Sequence, residues 1–332
     1  MSGEDELFTL LKGVSRSFYL SVRFLPRRIR SAIAIGYLLA RASDTIADTN
    51  QLPPEQRIAV LNQFLGSVSN RKLETSLDLA ACLKAQTDGP EKVLLANIDR
   101  VLDCLSDIPQ AHRELVSEVL SKIIHGQTLD IQRFELKPGV VGLANDAALE
   151  EYTYLVAGCV GEFWTKICLL EWRRYARLPP EQMLSCGKDF GKGLQLVNIL
   201  RDFPADLQSG RCYLPISNLE EVVRNPTLAR SEWERWHQKA CGYLEKAWKY
   251  VGAVRPWRVR FACALPVLIG IRTLVLLCDA PEIRAGIKVS RREVRRLIAW
   301  AGSVALFRFL EPVAYRVIFA RSATGVLSPK ED

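Results

Sequence analysis

The chain has 332 residues, 48% of them hydrophobic, which is enough to bury a large core as one large domain or two ordinary ones. Its net charge of +8 suits an anionic ligand, an anionic membrane surface or nucleic acid, and does not choose among them. The nine cysteines form no C-x-x-C pair, and three histidines are too few to complete a zinc-finger pattern with them. Reduced thiols in a cytoplasmic protein are therefore expected.

The beginning of the chain and its most apolar stretch are the two segments that could carry membrane signals. Residues 1–13 are acidic and amphipathic, and lack the basic region and the cleavage site of a signal peptide. Residues 261–278 are the most apolar run, but they contain Pro266 and Arg272 and barely reach a spanning length. This run predicts a buried core helix rather than a transmembrane anchor.

Helical periodicity extends along the whole chain, and strand signals are scarce. It predicts a loop at 137–144 and helices over the ranges 29–48, 56–68, 91–105, 112–134, 147–170, 180–203, 233–254, 261–277 and 289–319. Neither a repeat nor an obvious linker is visible. The prediction is an all-α fold in a single domain, residues 1–332 with a core from about 10 to 300, with the active site between facing helices.

Asp44 and Asp48 form the first candidate ligand pair. They lie four residues apart at the end of an almost wholly apolar segment, so on a helix both carboxylates share one face. Like charges at this spacing repel each other, and two carboxylates near a core are costly unless a cation joins them. A solvated helix end is the alternative interpretation, because the sequence after Asp48 is polar.

Asp202 and Asp206 repeat this spacing, and Gln195 and Asn198 can share their helix face. Oxygen ligands of this kind suit Mg²⁺, which usually binds through few carboxylates plus substrate phosphate oxygens. The two pairs together predict a Mg²⁺-diphosphate site in which the metal stabilises a leaving pyrophosphate. Pro204 complicates this prediction, because a proline inside a helix predicts a kink or an end at Phe203 and so displaces Asp206.

Three blocks of sequence together resemble the squalene/phytoene synthase family. The blocks comprise Ser15-Arg16-Ser17-Phe18 with Tyr37, Arg41 and 44–48; Tyr152 to Gly161; and Gln195 to Asp206 followed by 210–215. The resemblance covers about residues 10–280. It implies an all-α isoprenoid synthase fold, a helical bundle around a central cavity, and head-to-head condensation of two prenyl diphosphates.

Carried over by position, the resemblance implies the following roles. Asp44, Asp48, Asp202 and Asp206 would bind Mg²⁺-diphosphate with help from Asn198, and Tyr152 would handle a proton in the first half-reaction. Diphosphate oxygens would be contacted by Arg16, Arg41, Arg201 and Arg211 and by the hydroxyls of Ser15 and Ser17. Phe18 and Tyr37 would face carbocations, although core packing predicts aromatic residues there equally well. Gln195 completes the predicted substrate site.

The small residues from Ala157 to Gly161 predict a close helix approach that leaves room for a prenyl tail. Residues 125–130, with Gln127 and Asp130 three positions apart, resemble another family stretch that lies on the tunnel wall, although a plain surface face is the default prediction for them.

The resemblance is greatest to bacterial squalene synthases, which act on farnesyl diphosphate. Asp44-Thr45 and the segment around Pro266 and Thr273 favour this member, and the basic run at Lys288 and Arg291 resembles a segment near NADPH. The run 210–215 instead resembles phytoene synthases and enzymes that stop at presqualene diphosphate. A dehydrosqualene or phytoene synthase is a further alternative, and a non-catalytic helical scaffold is the alternative from another class.

The insoluble product adds an expected peripheral membrane contact for a cytoplasmic enzyme. Scattered basic residues and the lack of a known module argue against nucleic-acid binding.

Overall fold

A computed structural model describes residues 3–70, 79–137, 139–307 and 310, without the side chains of Arg16, Ser17 and Asn70. The fold is all-α, as predicted. The helices are α1 (Gly3–Val14), α2 (Arg16–Phe24), α3 (Arg27–Ala47), α4 (Pro54–Asn70), α5 (Leu79–Ala85), α6 (Pro90–Ala96), α7 (Ile98–Asp107), α8 (Gln110–Phe134), α9 (Asp146–Thr153), α10 (Cys159–Glu171), α11 (Pro180–Gln208), α12 (Leu219–Arg224), α13 (Arg230–Ala253), α14 (Trp257–Cys278) and α15 (Arg291–Leu306).

The helices are joined by three short elements of other types. A π-helical segment, Tyr154–Gly158, links α9 to α10, and a 3₁₀ turn, Pro226–Ala229, precedes α13. Strands β1 (Val141–Gly142) and β2 (Arg211–Cys212) pair in parallel, with Val141 opposite Arg211. Strand β1 lies inside the loop predicted at 137–144.

The chain divides into two compact units. Unit 1 consists of residues 1–137 and 163–172, and unit 2 consists of residues 138–162 and 173–332. The single-domain organisation stays a prediction beside this division.

Helix α3 is the central element of unit 1. It is buried on nearly all sides, as its apolar sequence predicts, and it packs against α1, α4, α6, α7 and α8. Only its last turn carries carboxylates, so the packing of the apolar part determines where those carboxylates lie.

Helix α11 is the corresponding element of unit 2, and it packs against α13, α14 and the π-helical segment. The close approach of α11 to that segment and to the start of α10 depends on glycines, which have no side chain. A Cβ on Gly191 would lie 2.0 Å from the Ala157 carbonyl oxygen, and one on Gly161 would lie 1.8 Å from the Gly187 carbonyl oxygen. The predicted close approach at the small-residue run is thus confirmed.

Helix α11 also continues through Pro204 to Gln208, so of the two predicted outcomes, a kink or an end at Phe203, the end was wrong. Pro204 has no N–H for the carbonyl of Leu200, four residues earlier. The indole N–H of Trp233, from α13, donates to that carbonyl instead, at 3.2 Å. A donor from a neighbouring helix therefore satisfies the acceptor that the proline leaves open.

Within the part of the chain that the structure describes, two helical stretches are long and apolar enough to cross a membrane by length and composition alone, namely Asp146–Glu171 and α14. Their most apolar windows are 39% and 72% buried inside the protein. Core helices of soluble proteins pass the same test. The burial of α14 agrees with the prediction of a core helix there.

The last predicted helix, 289–319, is described only as far as Leu306 within α15. The remainder of that prediction lies outside the described residues, apart from 307 and 310.

Candidate active site

The first aspartate pair lies at the C-terminus of α3, in unit 1. Asp48 is the C-terminal cap of α3, and its backbone N–H donates to the Asp44 carbonyl at 2.8 Å. Because this hydrogen bond closes a helical turn, the two carboxylates lie one turn apart on the same side. The predicted spacing is therefore present in the folded chain.

The chain itself offsets only part of the charge repulsion at this pair, through Arg41 beside Asp44 and Arg57 at the Ala47 carbonyl. A helix C-terminus carries a partial negative charge, and the last turn of α3 contains no basic residue. Two carboxylates at that end repel the helix dipole as well as each other. A bound cation would remove both repulsions, which favours a ligand site over a plain helix end.

The Asp44 carboxyl is surrounded by protein but open on one side. Burial raises the pKa of Asp44 to about 6, with repulsion from Asp48 adding to the shift and Arg41 and Gln127 opposing it. Yet 45% of its side-chain surface remains exposed. A crowded carboxylate with an open side can accept a ligand from that side.

Gln127 is a part of this site for which the sequence favoured a plain surface face over the tunnel wall that the resemblance implied. Its side chain is buried, not on a plain surface face as predicted, and its amide donates to Asp44 Oδ1 at 2.6 Å and to Ser43 Oγ at 3.1 Å. The prediction of a surface face was wrong because α8 turns Gln127 toward α3. The resemblance of residues 125–130 to a family stretch was the only available signal.

Arg41 lies one turn before Asp44 and links the pair to α6. Its Nη2 donates to Glu91 Oε1 at 2.9 Å, and its Nη1 lies 4.0 Å from Asp44 Oδ2. The side chains of Arg41 and Asp44 are both partly exposed. Arg41 thus has cationic surface beside the carboxylates, where a diphosphate contact was predicted.

The aromatic residues predicted near this site lie together. The rings of Phe18 and Tyr37 stack at 4.7 Å between centroids, and the Tyr37 hydroxyl donates to the Val14 carbonyl at 3.3 Å. Burial raises the pKa of Tyr37, with Arg41 opposing the shift. Ser15 is buried and its hydroxyl donates to the Leu11 carbonyl. The side chains of Arg16 and Ser17 lie outside the described residues.

The second aspartate pair lies on α11, in unit 2. Gln195, Asp202 and Asp206 are half-buried and Asn198 is exposed, whereas the residues on the opposite face of α11 are buried in the core. The four predicted side chains therefore form one stripe along the helix. Arg201 forms a two-point ion pair with Asp202, with Nε–Oδ1 at 2.9 Å and Nη2–Oδ2 at 2.5 Å.

Arg211 is placed by a tight turn after α11. Gly210 has a φ of +82°, a left-handed conformation that other residues adopt only under strain. Its carbonyl accepts from the Val141 N–H at 3.0 Å, which starts the pairing of β1 with β2. The half-buried Arg211 is thereby fixed a few residues beyond Asp206.

Tyr152 is half-buried at the end of α9, beside the π-helical segment. Its ring stacks on that of Tyr213 at 4.8 Å between centroids. Insertions of π-helix occur frequently at functional sites. Tyr213 was not assigned a role from sequence, although it lies in the run 210–215 that carried the resemblance.

The two residues predicted near NADPH lie at the N-terminus of α15. Lys288 and Arg291 are both exposed. Between them Ser290 caps the helix in a reciprocal pair with Glu293, which also binds Arg272 at 2.7 Å.

No group of three or more His, Cys, Asp or Glu side chains with metal-binding geometry occurs in the part of the chain that the structure describes. Each aspartate pair supplies two carboxylates. Because Mg²⁺ usually binds one or two carboxylates and takes its other ligands from water and phosphate, the pairs fit this ion.

Comparison with known proteins identifies the family. The family model for squalene/phytoene synthase matches residues 11–295. The chain therefore belongs to the squalene/phytoene synthase family, which is a family of enzymes.

Individual relatives agree with this assignment. Squalene synthase ERG9 from Candida albicans is 26% identical over 307 residues, which cover 88% of this chain and 66% of that protein. A bifunctional lycopene cyclase/phytoene synthase from Pyrenophora tritici-repentis is 26% identical over 318 residues, which cover 90% and 51%. The chain thus spans about two thirds and about half of the length of these relatives.

Among solved structures, TcSQS in complex with the ligand E5700 is similar in fold. It aligns with a TM-score of 0.79 at 20% identity, covering 98% of this chain and 93% of that chain.

Proposed function

We propose that this chain condenses two farnesyl diphosphates head to head, through presqualene diphosphate to squalene, with Mg²⁺ and NADPH as cofactors. The observation that carries the proposal is the pair of carboxylates one helical turn apart at the end of α3, held at the negative end of the helix dipole with Arg41 beside it. The same spacing on α11 and membership of the family support it.

Asp44 and Asp48 on α3, and Asp202 and Asp206 with Asn198 on α11, would hold Mg²⁺. Bound Mg²⁺ would supply charge neutralisation for a leaving pyrophosphate. Arg41, Arg201 and Arg211, together with Arg16, Ser15, Ser17 and Gln195, would bind and orient the diphosphate oxygens. Arg201 would exchange its two-point contact with Asp202 for diphosphate oxygens.

Tyr152 would handle a proton at its phenolic oxygen during the first half-reaction. Its stacking on Tyr213 holds the ring in one orientation. Phe18 and Tyr37 would present aromatic surface to cationic carbon.

NADPH would supply the hydride that ends the second half-reaction. Lys288 and Arg291 would bind its phosphates, since both are exposed cations at the start of a long helix, where backbone N–H groups also favour anions.

A cytoplasmic enzyme that makes squalene must release an insoluble product, and we propose a peripheral membrane contact through α15. Arg291, Arg292, Arg295 and Arg296 are exposed on this helix, and Trp300 and Leu306 follow them with 38% and 58% of their surfaces exposed. Basic and apolar groups on one helix suit an anionic lipid surface.

Product analysis tests the proposal. Purified protein with farnesyl diphosphate, Mg²⁺ and NADPH is expected to give squalene by mass spectrometry. Presqualene diphosphate with NADPH unconsumed would mean an enzyme without the reductive step, and dehydrosqualene or phytoene would mean a carotenoid-type enzyme. Asp48→Asn is expected to lose product, whereas the exposed Asp103→Asn on α7 serves as a control.

A helical scaffold without catalysis predicts a different result. It would gain no thermal stability from Mg²⁺ with farnesyl thiodiphosphate, an analogue that does not ionise readily. The proposed enzyme should be stabilised by the two together, by about 2.7 kcal/mol at a hundredfold excess over the dissociation constant.

A further inference from the structure

A buried ion pair connects two helices of unit 1 next to the first aspartate pair. Arg57, on α4, is only 1% exposed, and its Nη2 donates to Glu135, the C-terminal cap of α8. Its Nη1 also lies 3.3 Å from Glu135 Oε1. Neither residue has a role in the reaction proposed above.

The same guanidinium binds the backbone that carries Asp48. Nη1 of Arg57 donates to the Ala47 carbonyl at 2.5 Å. This carbonyl and the Asp48 N–H belong to one peptide group, and that N–H donates to the Asp44 carbonyl at 2.8 Å. The peptide group is thus held at both its carbonyl and its N–H, which restrains the backbone from which the Asp48 side chain projects.

Arg57 also places a positive charge at the C-terminus of α3. The last carbonyls of a helix lack intrahelical donors, and a cation there interacts favourably with the dipole. Glu135 balances this charge, so a fully buried arginine is tolerated.

Glu135 further connects the Arg57–Glu135 ion pair to Gln127. Both residues belong to α8 and its cap, and Gln127 donates to Asp44 at 2.6 Å. The end of α3 is therefore tied to α8 at two points, directly at the Asp44 carboxylate and through Arg57 at the Ala47 carbonyl beside Asp48.

We propose that Arg57, held by Glu135, is a positioning residue for Asp48 and so determines how strongly the first aspartate pair binds Mg²⁺. This inference depends on the proposed Mg²⁺ site. A pair that only stabilised the fold could be replaced by two apolar residues without changing Mg²⁺ binding, because such replacements often preserve stability.

The test measures binding of farnesyl thiodiphosphate to the full chain as a function of Mg²⁺ concentration, together with thermal unfolding of the ligand-free protein. Arg57→Met/Glu135→Met is expected to need about tenfold more Mg²⁺ for half-maximal binding, which is typical of lost support around a metal ligand. Arg57→Lys, which keeps the charge, is expected to need about threefold more, because an ammonium cannot serve both acceptors in the planar geometry of a guanidinium.

Val60→Ala is the matched control, since Val60 is 2% exposed on the same helix α4. It should lower the unfolding temperature and leave the Mg²⁺ midpoint unchanged. A wild-type midpoint in the folded double variant would overturn the inference; if that variant does not fold, a wild-type midpoint in Arg57→Lys would overturn it. Absence of Mg²⁺-dependent binding in the wild type would instead refute the proposed Mg²⁺ site itself.

Discussion

Opposing electrostatic effects act on the pKa of the Asp44 carboxyl group. Its surroundings and the neighbouring Asp48 disfavour ionisation, whereas Gln127 and Arg41 favour it. The balance leaves its pKa at about 6, above the ordinary value of 3.8. Because the empty site contains unrelieved electrostatic repulsion, a bound cation stabilises it more strongly. This arrangement is expected of a metal ligand rather than of a structural carboxylate.

The raised pKa gives a prediction for stability. In the absence of Mg²⁺, the folded chain resists ionisation of Asp44, so stability is lost as the pH rises from about 4 through about 6. Asp44→Asn avoids this loss. It should exceed the wild type above pH 6 by about 1 kcal/mol, because solvent at the open side reduces the full effect of the shift.

Urea unfolding between pH 4 and 8 would measure this difference. Asp103→Asn, at an exposed position of α7, is the matched control for the change of an aspartate to an asparagine. A constant difference between Asp44→Asn and the wild type from pH 4 to pH 8 would contradict the interpretation. With Mg²⁺ and farnesyl thiodiphosphate present, the wild type should become the more stable protein.

In unit 2, the packing of helix α11 depends on two residues that lack an atom: Gly191 has no Cβ, and Pro204 has no backbone N–H. Helix α11 approaches the π-helical segment because Gly191 has no Cβ, and it passes Pro204 because Trp233 supplies an N–H. Both features lie in the helix that carries the second aspartate pair. The position of that pair therefore depends on how well α11 is held by its neighbours.

Gly191→Ala should destabilise the protein by about 3 kcal/mol. Its Cβ would lie 2.0 Å from a backbone oxygen, which cannot move aside as a side chain would. Gly242→Ala, on the adjacent α13, meets nothing within 4 Å and should instead stabilise by about 0.5–1 kcal/mol. Thermal or urea unfolding of both variants checks the contrast, and equal effects of the two substitutions would refute it.

Trp233→Phe should cost about 1–3 kcal/mol, because the buried Leu200 carbonyl loses its donor. Pro204→Ala restores a backbone N–H for that carbonyl. In the Pro204→Ala background the same Trp233→Phe substitution should therefore cost less. A double-mutant cycle from urea unfolding measures this coupling, and additive effects would show that the indole N–H does not compensate for the proline.

The whole molecule carries a net charge of +8, and α15 presents several of its arginines at one exposed place. A contact with anionic lipid there should weaken with salt, since exposed charges are screened. The other basic residues are scattered along the sequence, which therefore does not predict a second basic surface of this kind. The proposed membrane contact through α15 thus rests in part on the charge distribution of the molecule.

Arg295→Glu/Arg296→Glu should reduce binding to phosphatidylglycerol-containing vesicles by more than about tenfold, because each cation near such a surface contributes about 1 kcal/mol. Arg173→Glu/Arg174→Glu makes the same charge change at two exposed positions of unit 2. Vesicle co-sedimentation at low and high salt compares the two variants. Equal losses would assign the binding to net charge rather than to α15.

The sequence by itself determined the helical class, the apolar character of α3 and α14, and the spacing of the two aspartate pairs. These follow from periodicity over neighbouring residues, because a helix places side chains three and four positions apart on one face. The small residues near Gly158 also indicated a close approach, since close packing needs residues without bulk.

Only the tertiary structure decided which distant groups meet these elements. Gln127 reaches Asp44 across 83 positions and Trp233 reaches Leu200 across 33, and the buried Arg57 ends at the Ala47 carbonyl. Sequence periodicity identified none of these contacts. The surface face predicted for Gln127 and the helix end considered at Phe203 were both wrong. The physical reason is that periodicity describes one helix at a time, whereas a hydrogen bond between helices depends on how the whole chain packs.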